Sequence, residues 1–122
     1  MKPGVRERLC QELSEFFSQR MAVSGDTEVK IVDDLILLRC KGSLSPGEIE
    51  MGSMKAGRLL IQEVSEKLCQ ELQPTLKNLL HEIAGLNLLD VAVGLFWQRR
   101  EKIFFLTIGD PIRNERRVKL AR

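Results

Sequence analysis

The feature that most constrains the fold of this chain is a helix-start signal at Ser45-Pro46-Gly47-Glu48. Ser45 suits the capping position, because its hydroxyl can accept a hydrogen bond from a free backbone N–H of the first turn. Pro46 suits the first helical position, where its missing N–H costs nothing, and the Glu48 carboxylate can reach back to the cap. The sequence therefore predicts that a helix begins at residue 46, and the neighbouring segments can be assigned from that point.

Apolar residues at helical spacing predict three helices. The first covers residues 4–22, with an apolar face formed by Val5, Leu9, Leu13, Phe16, Phe17 and Met21. The second runs from Pro46 to about Leu72, and its predicted stripe comprises Ile49, Ala56, Leu60, Val64, Leu68 and Leu72. Pro74 cannot continue a helix without losing a backbone hydrogen bond, so we expect a break and then a third helix that ends at Gly85.

Two glycines, Gly52 and Gly57, lie inside the predicted long helix. Each costs about 1 kcal/mol relative to alanine in a helix interior. Their presence indicates that another segment approaches the helix closely there.

Two pairs of strands flank the helical region. Residues 28–32 and 35–40 are strand-like on either side of Asp33-Asp34, a pair that suits a two-residue hairpin turn. Residues 88–97 and 102–108 form a second pair around a polar turn at residues 98–101. The predicted order is αββααββ.

This order predicts one α+β domain over residues 1–110 with a two-layer architecture. The two hairpins form a four-stranded antiparallel sheet, and the helices lie on one face of that sheet. The second hairpin is apolar on both sides, whereas the free face of such a sheet should be polar. Either the C-terminal tail or a second copy of the chain must then cover it, and we favour a homodimer. The candidate interface residues are Leu95, Trp97, Phe104 and Leu106.

Composition excludes several classes of protein. The chain has 122 residues, of which 43% are hydrophobic and 30% charged, as in a folded soluble domain. No apolar run approaches the ~20 residues of a membrane-spanning helix, and no signal peptide is evident, so a cytoplasmic protein is expected. Cys10, Cys40 and Cys69 are far apart, which predicts reduced thiols and neither a zinc site nor a disulfide framework.

The basic residues concentrate in the tail, residues 111–122. The tail carries a net charge of +4 and the remainder −2. Together with the turn at residues 98–101, it supplies the interaction candidates Arg99, Arg100, Arg113, Arg116, Arg117, Lys119 and Arg122. They suit an anionic partner: nucleic acid, an acidic lipid surface or an acidic protein patch. Nucleic acid has less support, because the tail has no aromatic residue for stacking on bases.

Residues for catalysis are few. His81 has no activated nucleophile among its helical neighbours, Asp33-Asp34 lacks converging oxygen ligands, and the glycines form no phosphate-binding loop. No catalytic, metal-binding or cofactor-binding residue is predicted. An enzyme or small-ligand sensor with a pocket between sheet and helices would have to use Cys69, His81, Glu82 and Asp90.

The order of these motifs resembles a small bacterial family. The Asp33-Asp34 hairpin is followed by Leu44-Ser45-Pro46-Gly47-Glu48, by Gly57, and by Leu79-Leu80-His81-Glu82-Ile83-Ala84-Gly85 before the last hairpin. This pattern, over about residues 5–110, is similar to the MpsC-like family, named after the third component of a sodium-linked membrane-potential-generating system. The resemblance implies a role beside a multi-pass ion or inorganic-carbon transporter. The family has no agreed catalytic residues, so it implies none here.

Three hypotheses follow for the function. The leading one is a non-enzymatic, dimeric accessory or adaptor protein that docks on a membrane protein at the cytoplasmic face and is itself cytoplasmic or peripheral to the membrane. The second is a nucleic-acid-associated or regulatory protein that uses the basic tail. The third is the enzyme or sensor with a site not recognised from the sequence.

Overall fold

The computed structural model describes residues 2–20 and 26–109, which form seven elements. In chain order these are α1 Pro3–Arg20, β1 Thr27–Val32, β2 Leu35–Cys40, α2 Pro46–Met51, α3 Lys55–Ala84, β3 Asn87–Phe96 and β4 Glu101–Gly109. The predicted order αββααββ and the α+β class are confirmed. The end of the predicted first helix, residues 21–22, lies outside the described residues.

The four strands form one antiparallel sheet in the order β1-β2-β4-β3. Each hairpin pairs its own two strands, and β2 pairs with β4 to join the hairpins. Leu37 and Ala92 both lie opposite Phe105, so this register aligns one row of side chains across three strands. The predicted sheet of two hairpins is therefore confirmed.

Two hairpin turns adopt backbone conformations that the sequence signals accommodate. Asp33 has a φ of 52°, in the left-handed region that aspartate tolerates better than most residues. Arg100 has a φ of 55° in the turn between β3 and β4. Gly85 ends α3 with a φ of 64°, and its N–H donates to the carbonyl of His81, as the predicted helix stop requires.

Both long helices pack on the same face of the sheet, and the core lies between the two layers. Helix α1 contacts β1 and α3, and α3 contacts β3. The fully buried residues come from α1, α3 and alternate positions of β2 and β4; the largest are Phe17, Phe104, Leu9, Leu13, Ile36, Leu38, Leu76, Leu80 and Leu106.

The predicted capping box is present in full. The backbone N–H of Glu48 donates to Ser45 Oγ over 3.1 Å, and the Glu48 carboxylate accepts from the N–H of Ser45 over 3.0 Å. Lys102 Nζ on β4 lies 3.2 Å from Glu48 Oε2. Partial burial alone would raise the pKa of the Glu48 carboxyl, but the hydrogen bonds from Ser45 and the charge of Lys102 together lower it. The cap therefore also fastens α2 to the sheet.

The break between the two central helices lies at residues 52–54, and the prediction of a break at Pro74 was wrong. Helix α2 ends at Met51 and α3 begins at Lys55. A Cβ atom on Gly57 would overlap the carbonyl oxygen of Met51, and one on Gly52 would overlap the ring of Trp97. Both glycines therefore permit the close approach that the sequence indicated, at an elbow between two helices.

Helix α3 continues through Pro74 because core packing on both sides of it outweighs the lost hydrogen bond. Its buried stripe comprises Ile61, Ser65, Cys69, Leu72, Leu76, Leu80 and Ile83. The predicted stripe was wrong in its first half, since Leu60 is 49% exposed and Val64 is 58% exposed.

Candidate functional site

The face of the sheet opposite the helices is apolar at its centre, and we call it the outer sheet face. No described helix packs on this face. Alternation and register place on it the side chains of Leu35, Leu37, Ala92, Phe96, Ile103 and Phe105, together with Gly94. In a two-layer domain this face is normally polar, so its apolar character indicates a contact that the described chain does not itself supply.

Gly94 shapes the aromatic part of the outer sheet face. A Cβ atom there would lie 3.0 Å from the ring of Phe96 and 3.3 Å from the ring of Phe105. The missing side chain allows both rings to lie close to the strands. Next to them is a depression of about 130 Å³ whose lining residues are Glu28, Lys30, Leu37, Arg39 and Ile103.

A buried carboxylate with its arginine partners is built into the outer sheet face. Arg39 Nε donates to both carboxylate oxygens of Glu101, over 3.1 and 3.2 Å, and Arg99 Nη1 lies 3.6 Å from one of them. The Glu101 side chain is only 2% exposed, whereas Arg39 is 37% exposed. A carboxylate buried to this extent requires its partners, because removing a partner leaves an uncompensated charge. The pair therefore fixes the β2–β4 register beside the apolar centre.

The dimer-interface candidates are placed differently from the prediction. Phe104 and Leu106 are fully buried under the helices, so their assignment to the uncovered face was wrong. Leu95 also packs against the core, and Trp97 packs at the helix elbow against Gly52. Because β4 is apolar on both sides, alternation gave two equivalent faces and no means to choose between them.

A second exposed apolar surface lies at the junction of α2 and α3, and we call it the elbow surface. It comprises Met51, Met54, Leu59 and Leu60, with exposed fractions of 43%, 69%, 63% and 49%. Large apolar side chains grouped at this level of exposure indicate a contact surface.

The turn between β3 and β4, residues 97–100, adjoins the elbow surface, and we call it the basic turn. The guanidinium of Arg99 lies 5.5 Å from the ring centroid of Phe96, and that of Arg58 lies 5.6 Å from the ring of Trp97. Arg99 and Arg100 are exposed, as an interaction role requires. A cavity of about 310 Å³ opens here, lined by Arg58, Leu95, Phe96, Trp97, Gln98 and Arg99.

Arg58 is a functional candidate that the sequence pattern did not indicate. It lies on α3, about 40 residues before the turn, and no local pattern links it to Arg99. Its Nε donates to the carbonyl of Gly52, which places its guanidinium over Trp97. The other basic candidates, Arg113, Arg116, Arg117, Lys119 and Arg122, lie outside the described residues.

The residues considered for an enzyme or sensor do not converge on one site. Cys69 and Asp90 line a groove of about 310 Å³ between α3 and β3, with Glu66, Gln70 and Gln73. His81 and Glu82 are exposed and lie about 18 Å farther along α3, from the helical rise. Burial raises the pKa of the Cys69 and Cys40 thiols to about 11, so both are protonated and weakly nucleophilic at neutral pH.

Metal-binding groups are dispersed as well. In residues 2–20 and 26–109, no cluster of three or more histidine, cysteine or acidic side chains could hold a metal ion. Asp33 and Asp34 form the predicted hairpin turn, where the Asp34 carbonyl accepts from the N–H of Ile108.

The comparison with protein families identifies the class of protein that this fold represents. The protein-family model described as "MpsC: Na+-translocating membrane potential-generating system (MpsC)" matches residues 2–107 of the chain. The chain belongs to the MpsC family, as its motif order suggested. Neither a curated protein nor a solved structure matches it. In the part of the chain that the structure describes, no helix is both long and apolar enough to span a membrane.

Proposed function

We propose that this protein is a non-enzymatic accessory or adaptor component that acts through protein–protein contact within a membrane-potential-generating system. The observation that carries the proposal is the outer sheet face, an apolar surface that no described helix covers. The reactive groups of the described residues are dispersed or buried, which supports a contact role over catalysis. The family description supplies the membrane setting.

We propose a second copy of the chain as the occupant of the outer sheet face. In the order β1-β2-β4-β3, exposed Lys30 lies on one edge strand and exposed Asp90 on the other. If two sheets face each other about a two-fold axis parallel to the strands, β1 of one copy lies over β3 of the other. Lys30 then approaches Asp90 of the partner subunit at both ends of an apolar centre, which makes the face self-complementary in charge.

A homodimer of this kind leaves the helical layer and the elbow surface exposed on both subunits and places the basic turn at the edge of the interface, because Arg99 stacks on Phe96 and pairs with Glu101. Those surfaces are then available to a membrane protein at the cytoplasmic face. The contacts of Trp97 with Gly52 and Arg58 join the elbow surface to the basic turn within each subunit, and two-fold symmetry gives the dimer two copies of each surface.

The dimer is tested by light scattering on the purified full chain and on Ile103→Asp. Ile103 lies at the centre of the outer sheet face, so a buried carboxylate there should dissociate the dimer. Val64→Asp is the matched control, since it makes the same kind of change at a side chain that is 58% exposed on α3. A wild-type chain that stays monomeric across the accessible concentration range, or equal behaviour of the two variants, contradicts this interface.

The accessory role is tested by co-purification of the tagged chain from gently solubilised native membranes, with proteins and nucleic acids both identified. A co-purifying multi-pass membrane protein supports the proposal. Salt-sensitive nucleic acid without a membrane protein contradicts it and supports a nucleic-acid-associated protein. A turnover assay on any recovered complex gives the check on enzymatic activity: loss of activity in Cys69→Ala, in a complex that still assembles, would contradict a non-enzymatic role.

A further inference from the structure

One end of the molecule combines exposed apolar side chains with arginines. The elbow surface and the basic turn meet there, because Trp97 packs against Gly52 and Arg58 stacks over Trp97. The elbow contributes the most exposed large apolar residues of the described chain, Met54 at 69% and Leu59 at 63%. The two surfaces therefore form one continuous end of the domain.

We infer that this end binds the surface of an anionic phospholipid membrane. The elbow surface enters the boundary between headgroups and acyl chains, and the guanidinium groups of Arg58, Arg99 and Arg100 face the phosphates. Apolar side chains beside basic ones are the combination by which proteins bind in the membrane interface without crossing it. Trp97 suits the boundary between headgroups and acyl chains because an indole ring has an apolar body and a polar N–H.

The charges at this end favour an anionic surface. Lys55, Arg58, Arg99 and Arg100 are basic, and Glu50 is the exposed acidic residue among them. The two nearby acidic groups are already paired, Glu101 with Arg39 and Arg99, and Glu48 with Lys102. The local field is therefore positive where the apolar side chains are exposed.

The form of the apolar residues favours lipid over a protein groove. Met54 and Leu59 are more than half exposed, so they project from the elbow. Projecting apolar side chains enter a fluid acyl layer without a partner of matching shape, whereas a protein partner would need a complementary groove.

The cavity beside Trp97 provides a place for a headgroup phosphate. Arg58 and Arg99 lie on its lining together with Gln98, and its volume is about 310 Å³. Two guanidinium groups and an amide N–H are suitable donors for phosphate oxygens. The stacking of each guanidinium on an aromatic ring holds the arginines in position for this contact.

The test is flotation of the full chain with vesicles of phosphatidylcholine alone and of phosphatidylcholine mixed with phosphatidylglycerol. We expect binding to the mixed vesicles that weakens as salt is added. Each arginine removed should weaken binding about fivefold, so Arg99→Gln with Arg100→Gln should weaken it roughly thirtyfold. Met54→Ser with Leu59→Ser should also reduce it, because the apolar contribution is lost.

Two control variants distinguish the contribution of this surface to vesicle binding from the contributions of net charge and of exposed apolar side chains elsewhere. Arg8→Gln with Arg20→Gln removes the same charge from exposed positions on α1. Val64→Ser with Leu89→Ser removes exposed apolar side chains outside the elbow, with exposed fractions of 58% and 41%. Both controls should bind the mixed vesicles like the wild-type chain.

Trp97 is the one tryptophan of the chain and supplies a local signal. On the mixed vesicles its fluorescence should shift to shorter wavelength and be quenched by brominated lipid, which a purely structural role of these residues would not produce. No binding to the mixed vesicles, or an unquenched Trp97, overturns the inference. Equal binding by the turn and α1 variants overturns it too, and assigns the interaction to another basic segment.

This test is separate from that of the accessory role, because the vesicles contain no protein. Vesicle binding can fail while a membrane protein still co-purifies. If the elbow variants then lose that membrane protein, the elbow docks on protein and the lipid inference is wrong.

Discussion

Replacing Gly57 by alanine tests the packing of the helix elbow directly. In an unhindered helix interior this change stabilises a protein by about 1 kcal/mol, because alanine has the higher helix propensity. At Gly57 the new methyl group would overlap the backbone carbonyl of Met51. A backbone group in a capped helix cannot move aside as a flexible side chain can, so the sign of the effect should reverse.

The expected magnitude follows from these two opposing effects. Overpacking a filled site costs about 1–3 kcal/mol, and contact with backbone places this site at the upper end of that range. After the gain in helix propensity is subtracted, Gly57→Ala should lower the free energy of unfolding by about 2 kcal/mol. The elbow should also shift, which would displace Met54 and the ring of Trp97.

The assay is urea unfolding followed by far-ultraviolet circular dichroism, with Trp97 fluorescence as the local signal. Gly47→Ala is the matched control, because Gly47 lies in α2 and a Cβ atom there would meet nothing within 4 Å. The control should be neutral or slightly stabilising. If Gly57→Ala is as stable as the control, the close approach of α2 and α3 is not as described.

Three further predictions test other parts of the structure. Measured at protein concentrations low enough to dissociate the proposed dimer, Phe104→Ala should lower the free energy of unfolding by about 3–5 kcal/mol, and Phe105→Ala by less than half as much; equal losses in the monomer would contradict the assignment of the two sheet faces. Pro74→Ala should raise it by about 1–3 kcal/mol, since an interior proline removes a helix hydrogen bond; a neutral result would favour a helix start there. Burial raises the pKa of the Cys40 and Cys69 thiols from 9.0 to about 11, so above pH 9 unfolding releases their protons. The free energy of unfolding should therefore fall between about pH 9 and 11. Denaturant titrations across this range test the prediction, and a free energy of unfolding that does not change with pH would contradict buried thiols.

Several features of the fold could be predicted because their causes lie within a few neighbouring residues. The cap at Ser45 needs only Pro46 and Glu48 beside it, and the turn at Asp33 needs only residues that tolerate positive φ. Gly52 and Gly57 indicated a close approach for the same reason, since the energetic cost of each is local. The four-stranded sheet then follows from two hairpins that must share a core.

The candidate surfaces were harder to predict. Arg58 joins the basic turn only because the elbow brings α3 beside Trp97, and no spacing in the chain records that contact. Leu60 continues an apolar stripe that ends in solvent, so periodicity alone assigned it to the core. In both cases the deciding contact is between segments that are far apart in sequence.

The amino-acid sequence by itself determined where α2 begins, how the hairpins turn and which elements are apolar, because each of these depends on local backbone geometry and side-chain spacing. Only the tertiary structure decided which side of the doubly apolar strand β4 is covered and which helix face turns to the core. Those choices depend on how α1 and α3 together fill one side of the sheet. Their packing buries Phe104 and leaves Phe105 on the outer sheet face, although the two residues are adjacent and chemically identical.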